Sequence, residues 1–131
     1  MIGLDTNVLV RYVAQDDPRQ SPKATRLIES LTADAPGYIP VVSIVELTWV
    51  LTRCYGSTRD EICTLLETML HTRELVVADA DIVWKALRVY RTGQADFADC
   101  LIERSANAAG CAHTATFDRN AARFCGMALI E

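Results

Sequence analysis

Apolar residues in this chain gather in short runs, between longer stretches that carry the helical spacing of apolar positions. Met1 to Leu4 is the first run. It is closed by Asp5 and predicts a buried strand over residues 1–5, with the carboxylate emerging at its C-terminal edge. Residues 6–13 predict a short helix, stopped by the polar stretch Gln15-Asp16-Asp17-Pro18. Ser21-Pro22 predicts a helix start, Ser as N-cap and Pro in first position, with the helix running to about Thr32. Pro36-Gly37 predicts a turn, and Tyr38 to Val41 a strand. Ser43-Ile44-Val45-Glu46 has capping-box spacing and opens a helix to about Cys54, broken by Gly56. Ser57 or Thr58 caps a helix to about His71. Glu74 to Ala78 predicts a strand, and Asp81 to Arg91 a helix that Gly93 ends. Asp96 caps a helix to about Ala108, followed by Gly110. Ala112 to Thr116 is a strand, Arg119 to Phe124 a short helix, and Met127 to Ile130 a last edge strand. Short strands alternating with helices predict an α/β fold, a mainly parallel sheet of about five strands covered on both faces.

The length, 131 residues, predicts one domain, and 50% apolar residues supply a core. No run reaches the ~18 apolar residues of a membrane span. The first residues lack a basic n-region, so no secretory signal is expected. Five cysteines without a CxxC pair read as buried thiols of a reducing, cytoplasmic protein. His71 and His113 have no ligand-spaced partner, which argues against structural zinc. The net charge of −4 argues against passive nucleic-acid binding through a basic surface. It is compatible with a nuclease whose acids hold a cation, since each divalent ion offsets two charges. Eleven arginines stand against two lysines, Lys23 and Lys85. Arginine suits phosphate contacts, and arginine richness also follows from genomic composition.

Four acids fall at comparable junctions: Asp5, Glu46, Asp99 and Asp118. Each has an ordinary structural role open to it. Asp5 and Asp118 suit helix caps, Glu46 the third position of a capping box, and Asp96 with Asp99 the helix dipole. Glu46, however, lies in a segment apolar on nearly all sides, with no Lys or Arg before Arg53. A carboxylate facing the core or a cleft there needs a partner. Four carboxylates brought together repel one another unless a hard divalent cation joins them, and an all-carboxylate set suits Mg²⁺ or Mn²⁺. Asp79 and Asp81 read as caps of the helix carrying Trp84. Trp49 and Trp84 read as core or dimer-interface aromatics.

Asp5-Thr6-Asn7 at the start, Ser43-x-x-Glu46, Asp96-x-x-Asp99 opening an apolar helix and Thr116-Phe117-Asp118 near the end together resemble a PIN-domain ribonuclease. The resemblance covers essentially the whole chain and is narrowest to VapC-type toxins of toxin–antitoxin pairs. It implies a single PIN-like domain over residues 1–131, a three-layer α/β/α arrangement. It also implies that Asp5, Glu46, Asp99 and Asp118 hold Mg²⁺ or Mn²⁺, with Asp96 as an additional acid. Asn7 and Thr116 correspond to polar residues that orient the acids, with Thr6 and Ser43 beside them. The implied activity is endoribonuclease, by metal-assisted attack of water that leaves 5′-phosphate and 3′-hydroxyl ends. The implied partners are RNA, a small antitoxin and a second copy of the chain, with no membrane. Arg11 or Arg119 is a candidate to hold flanking phosphates. Two rivals are weaker. A phosphoacceptor with Asp5 as nucleophile wants a second acid two residues on, where Asn7 stands, or a late strand-end lysine. A non-catalytic PIN-like module predicts loss of a core acid, and none is lost.

Overall fold

The structure is a computed structural model that describes all of residues 1–131. The chain divides into two compact units, Met1–Ala78 and Asp79–Glu131.

The first unit runs β1 (Ile2–Gly3), α1 (Thr6–Ala14), α2 (Gln20–Glu29), β2 (Gly37–Ile39), α3 (Val41–Tyr55), α4 (Arg59–His71) and β3 (Leu75–Val77). Its strands form a parallel sheet in the order β1-β2-β3. Ile2 pairs with Gly37 and Gly3 with Tyr38, then Gly37 to Ile39 pair in step with Leu75 to Val77. The crossover helices bury one stripe each, and Leu9, Ile44, Leu47, Leu51, Ile62 and Leu66 make the core with Leu4 and Ile39. Gly37 is needed where it stands. A Cβ there would lie 2.7 Å from Leu4 Cδ1 and 2.9 Å from Leu31 Cδ1.

The second unit runs α5 (Ala80–Thr92), α6 (Phe97–Ala108), β4 (Ala115–Thr116), α7 (Arg119–Cys125) and β5 (Ala128–Leu129). α5 packs on α6, and α6 on α7. Val83, Ala86, Leu87, Tyr90, Phe97 and Leu101 fill the seam, with Tyr90 and Phe97 edge to face at 5.7 Å. β4 and β5 pair in parallel, Ala115 with Ala128 and Thr116 with Leu129. Gly126 ends α7 at φ 75°, a left-handed position suited to glycine. Within this unit Cys100 and Cys125 bring their sulfurs to 3.8 Å.

All five expected strands exist and all pair in parallel, so the chain is an α/β protein. They form a three-stranded and a two-stranded ladder, however, where a single sheet of about five was expected. The strands have two or three residues each, and β4 and β5 hydrogen-bond only to each other. β1 ends at Gly3, and its two residues are exposed, not buried. α2 starts at Gln20. Ser21 is buried within its first turn, and the exposed helix N–H groups of Arg19 and Gln20 go to Asp17 Oδ1 at 2.9 and 2.7 Å. Pro22 is tolerated there because first-turn N–H groups have no intrahelical partner. Gly37 opens β2 instead of a turn, and α3 starts at Val41, two residues before Ser43. Asp79 takes the N-cap position of α5 at φ 49° without a side-chain bond to the helix. Trp49 is 58% exposed, on the face of α3 opposite Ile44, Leu47 and Leu51. Cys54 and Cys111 are exposed, while Cys63, Cys100 and Cys125 are buried as expected. No helix is long and apolar enough to cross a membrane.

Candidate functional site

In the first unit, Leu4 extends the ladder by donating its N–H to the Tyr38 carbonyl at 2.8 Å, and its side chain is buried. Asp5 follows as the N-cap of α1, with extended backbone. Its Oδ1 accepts from the Thr6 N–H at 2.8 Å. On α3, buried Ser43 donates from Oγ to the Leu4 carbonyl at 3.3 Å. One turn further, Glu46 Oε1 accepts from Thr6 Oγ1 at 2.8 Å. Residues three apart on a helix share a face. The Ser43-x-x-Glu46 spacing therefore clamps α3 onto the junction between β1 and α1 and closes no capping box. Pro40 is the cap position of α3, which leaves Glu46 beyond the first turn. Glu46 is exposed, against the expectation of burial, and so is Asp5. Asp5, Thr6, Asn7 and Glu46 line one open pocket together with Arg11 and Tyr55. Each of the two carboxylates uses one oxygen in a hydrogen bond and keeps the second for another partner.

Tyr55 and Asp16 were not foreseen in this pocket region. The Tyr55 hydroxyl donates to Asp16 Oδ2 at 2.8 Å, and that bond holds its pKa above the usual phenol value. Arg11 donates from Nη1 to Asp16 Oδ1 at 3.3 Å and from Nε to Gln20 Oε1 at 3.0 Å. Sequence separation hides the Tyr55–Asp16 bond. The readable signal was Asn7 and Arg11, four apart on one helix face.

The second unit holds Asp96, Asp99 and Asp118. Asp96 is the N-cap of α6, and its Oδ1 accepts from the Asp99 N–H at 2.9 Å. Asp118 is the N-cap of α7, and its Oδ1 accepts from the Asn120 N–H at 2.8 Å and the Ala121 N–H at 3.4 Å. Thr116 steadies this turn, its Oγ1 accepting from the Asp118 N–H at 3.0 Å. Asp99 is half-buried and caps nothing. Desolvation pushes its pKa upward, and the charge of Asp96, a side-chain bond to Asp96 and the charge of Asp118 push the same way. Burial first, then the Asp99, Asp96 and Glu103 carboxylates, push the pKa of the Cys125 thiol upward, against an opposing bond from Cys100.

The acids thus occur as two constellations, one in each unit. Nowhere are three or more His, Cys, Asp or Glu side chains arranged as a ready-made ion site. In donor chemistry the set fits Mg²⁺ or Mn²⁺. It is all carboxylate oxygen, each cap leaves an oxygen to spare, and Asp99 resists ionising beside two like charges without a cation.

Residues 2–127 match the family model of the PIN domain, a span that runs through both units. A VapC ribonuclease of Aquifex aeolicus is 25% identical over 116 residues, 88% of this chain and 86% of the relative. Among solved structures, VapC20 of Mycobacterium tuberculosis, a toxin that cleaves the sarcin–ricin loop, is 18% identical. It covers 100% of this chain and 99% of its own, with a TM-score of 0.46, too low for the superposition to carry an argument. On the family match, which takes in nearly every residue, this chain belongs to the PIN-domain family.

Proposed function

We propose that this chain is a Mg²⁺- or Mn²⁺-dependent endoribonuclease that hydrolyses RNA phosphodiester bonds, and the toxin of a toxin–antitoxin pair. The observation that carries the proposal is the pairing of Asp5 and Glu46 on one pocket through Thr6, forty residues from Glu46 in sequence. Three independent helix caps would not require such a clamp. The PIN-domain match and the VapC ribonuclease of Aquifex aeolicus support the same chemistry.

Asp5, Glu46, Asp99 and Asp118 are the proposed ligands, with Asp96 a less direct member that caps α6. When bound, the divalent ion supplies a water of lowered pKa and neutralises charge developing on the phosphate. The chain's own residues prepare the set. Thr6 fixes one oxygen each of Asp5 and Glu46, through its N–H and its hydroxyl. Ser43 holds the strand end beneath them, and Thr116 holds the backbone of Asp118. Neither His71 nor His113 lines the Asp5–Glu46 pocket, so proton transfer there falls to carboxylates and water. The proposed partners are a small antitoxin and a second copy of the chain. Large exposed apolar side chains in each unit, Trp49 in the first and Ile102 and Phe117 in the second, support contacts with a partner.

The test is cleavage of RNA with Mn²⁺, with EDTA, and by variants carrying the amide at each of the four acids. Cleavage in Mn²⁺ with 5′-phosphate and 3′-hydroxyl ends, lost in EDTA and in all four variants, is expected. Full activity in EDTA overturns the metal mechanism.

A further inference from the structure

A groove of about 270 Å³ runs between α1 and α2 in the first unit. Its polar lining is Asn7, Arg11, Gln20 and Lys23, and Val8 and Leu27 contribute apolar wall. No Asp or Glu lines it, in a chain where acids outnumber bases 17 to 13. The lining itself thus carries two cations, Arg11 and Lys23, while Asp16 and Asp17 stand behind Arg11 and Gln20. Asn7 and Arg11 also line the pocket that holds Asp5 and Glu46, so the two depressions share a wall. We propose that this groove is the subsite for an RNA phosphodiester next to the scissile one, gripped by Arg11 and Lys23. The proposal rests on the ribonuclease activity proposed above and names where its substrate strand runs.

Arg11 is set for this task. Gln20 holds its Nε, Asp16 holds Nη1, and Tyr55 holds the other oxygen of Asp16. A guanidinium already fixed loses little freedom when it binds a phosphate oxygen. Asp16 offsets part of the Arg11 charge, which is why the second cation matters. Lys23 is exposed on α2 and supplies a compact charge on a flexible stem. Asn7 and Arg11 are four residues apart, about 6 Å along the helix axis. That is one or two nucleotide rises of ~3.4 Å, so a strand positioned at Asp5 and Glu46 reaches the groove with its neighbouring phosphates. Val8 and Leu27 offer apolar surface to the sugar.

The experiment measures binding of a short fluorescein-labelled single-stranded RNA across ~50–200 mM salt. All proteins carry Asp5→Asn, so that turnover does not intervene. Lys23→Gln and Arg11→Gln are each expected to flatten the slope of log affinity against log salt by about 0.7, the loss of one phosphate contact to a single strand. Lys85→Gln, the other lysine, lies on α5 and should leave the slope unchanged. Lys23 is a surface residue, so its variant keeps the fold even if Arg11→Gln loosens the α1–α2 contact. An unaltered slope in Lys23→Gln overturns the subsite, and so does an equal loss in Lys85→Gln, which would mark a general charge effect. RNA cleavage by the protein with Asp5 intact is read separately, with Mn²⁺ and with EDTA. Cleavage with no slope change at Lys23 removes the subsite alone. A slope change without cleavage leaves an RNA groove and removes the ribonuclease.

Discussion

Asp96 and Asp99 stand three positions apart at the head of α6, and the fold asks different things of them. Asp96 satisfies a helix N–H. Asp99 meets burial and two like charges. A folded-state pKa above the ordinary 3.8 means that the folded chain binds its proton more tightly than the unfolded chain does. Stability of the metal-free protein then falls as pH rises from 3.8 through that raised value. Asp99→Asn removes the charge, so in EDTA at neutral pH its melting temperature should exceed that of the unaltered protein, while its RNA cleavage is lost. That loss should surpass the ~10–100-fold typical when a residue one step removed from a metal is changed. Asp96→Asn should melt no lower than the parent, because Asn caps as well as Asp and the change removes one of the like charges facing Asp99, and it should retain more activity than Asp99→Asn. Calorimetry in EDTA together with cleavage rates in Mn²⁺ checks both. Equal activity losses would make Asp96 a ligand, and a lower melting temperature for Asp99→Asn would contradict the desolvation account.

At the scale of elements, the caps that depend on neighbouring residues were legible in sequence. Thr58, one of the two caps expected for α4, closes a capping box with Glu61, and Asp96 and Asp118 cap α6 and α7. Ser43 and Glu46 show where that legibility stops. A capping box and a tertiary clamp use the same three-residue spacing, and only the partner forty positions away separates them. Strands of two or three residues are too short to show a period, so their existence could be read but not their division between two ladders. The capping box also fixes an acid dependence of opposite sign to that of Asp99. The Thr58 N–H, then the Thr58 side chain, hold Glu61 below its ordinary 4.5. Backbone N–H groups of Gln20 and Arg19 hold Asp17 below 3.8. Carboxylates with depressed folded-state pKa values stabilise above the unfolded value and lose that stabilisation as pH falls through the folded one. Urea midpoints measured from pH 6 downward should therefore drop less steeply below 4.5 for Glu61→Gln than for the parent. Parallel curves would show that the box carries no charge-dependent stability.

For the whole molecule, the order of acids along the chain said more than its bulk properties did. The net charge of −4 argued against passive binding through a basic surface, and it averages a pocket lined by Asp5 and Glu46 with a groove lined by Arg11 and Lys23. Averages of that kind erase the pattern that steers a polyanion. The PIN-domain match spans residues 2–127, a range that takes in the acids of both units. If the chain is a toxin, its expression alone should arrest growth, and co-expression of the small protein encoded beside it should restore growth. The Asp5→Asn variant should be harmless at the same expression level. Unimpaired growth with all four acids intact would point to a PIN-domain nuclease outside a toxin system.

Asp5 and Asp118 each accept backbone N–H groups at a helix start while keeping an oxygen for other work. Asparagine preserves the first task and forfeits the second. In the genetic code the two amino acids differ by one base. If the chain is a toxin, a lineage burdened by it therefore has a short mutational path to a chain that is silent and still folded. On that reading, chemistry is the part of this molecule that evolution can discard first, and the fold can persist after it.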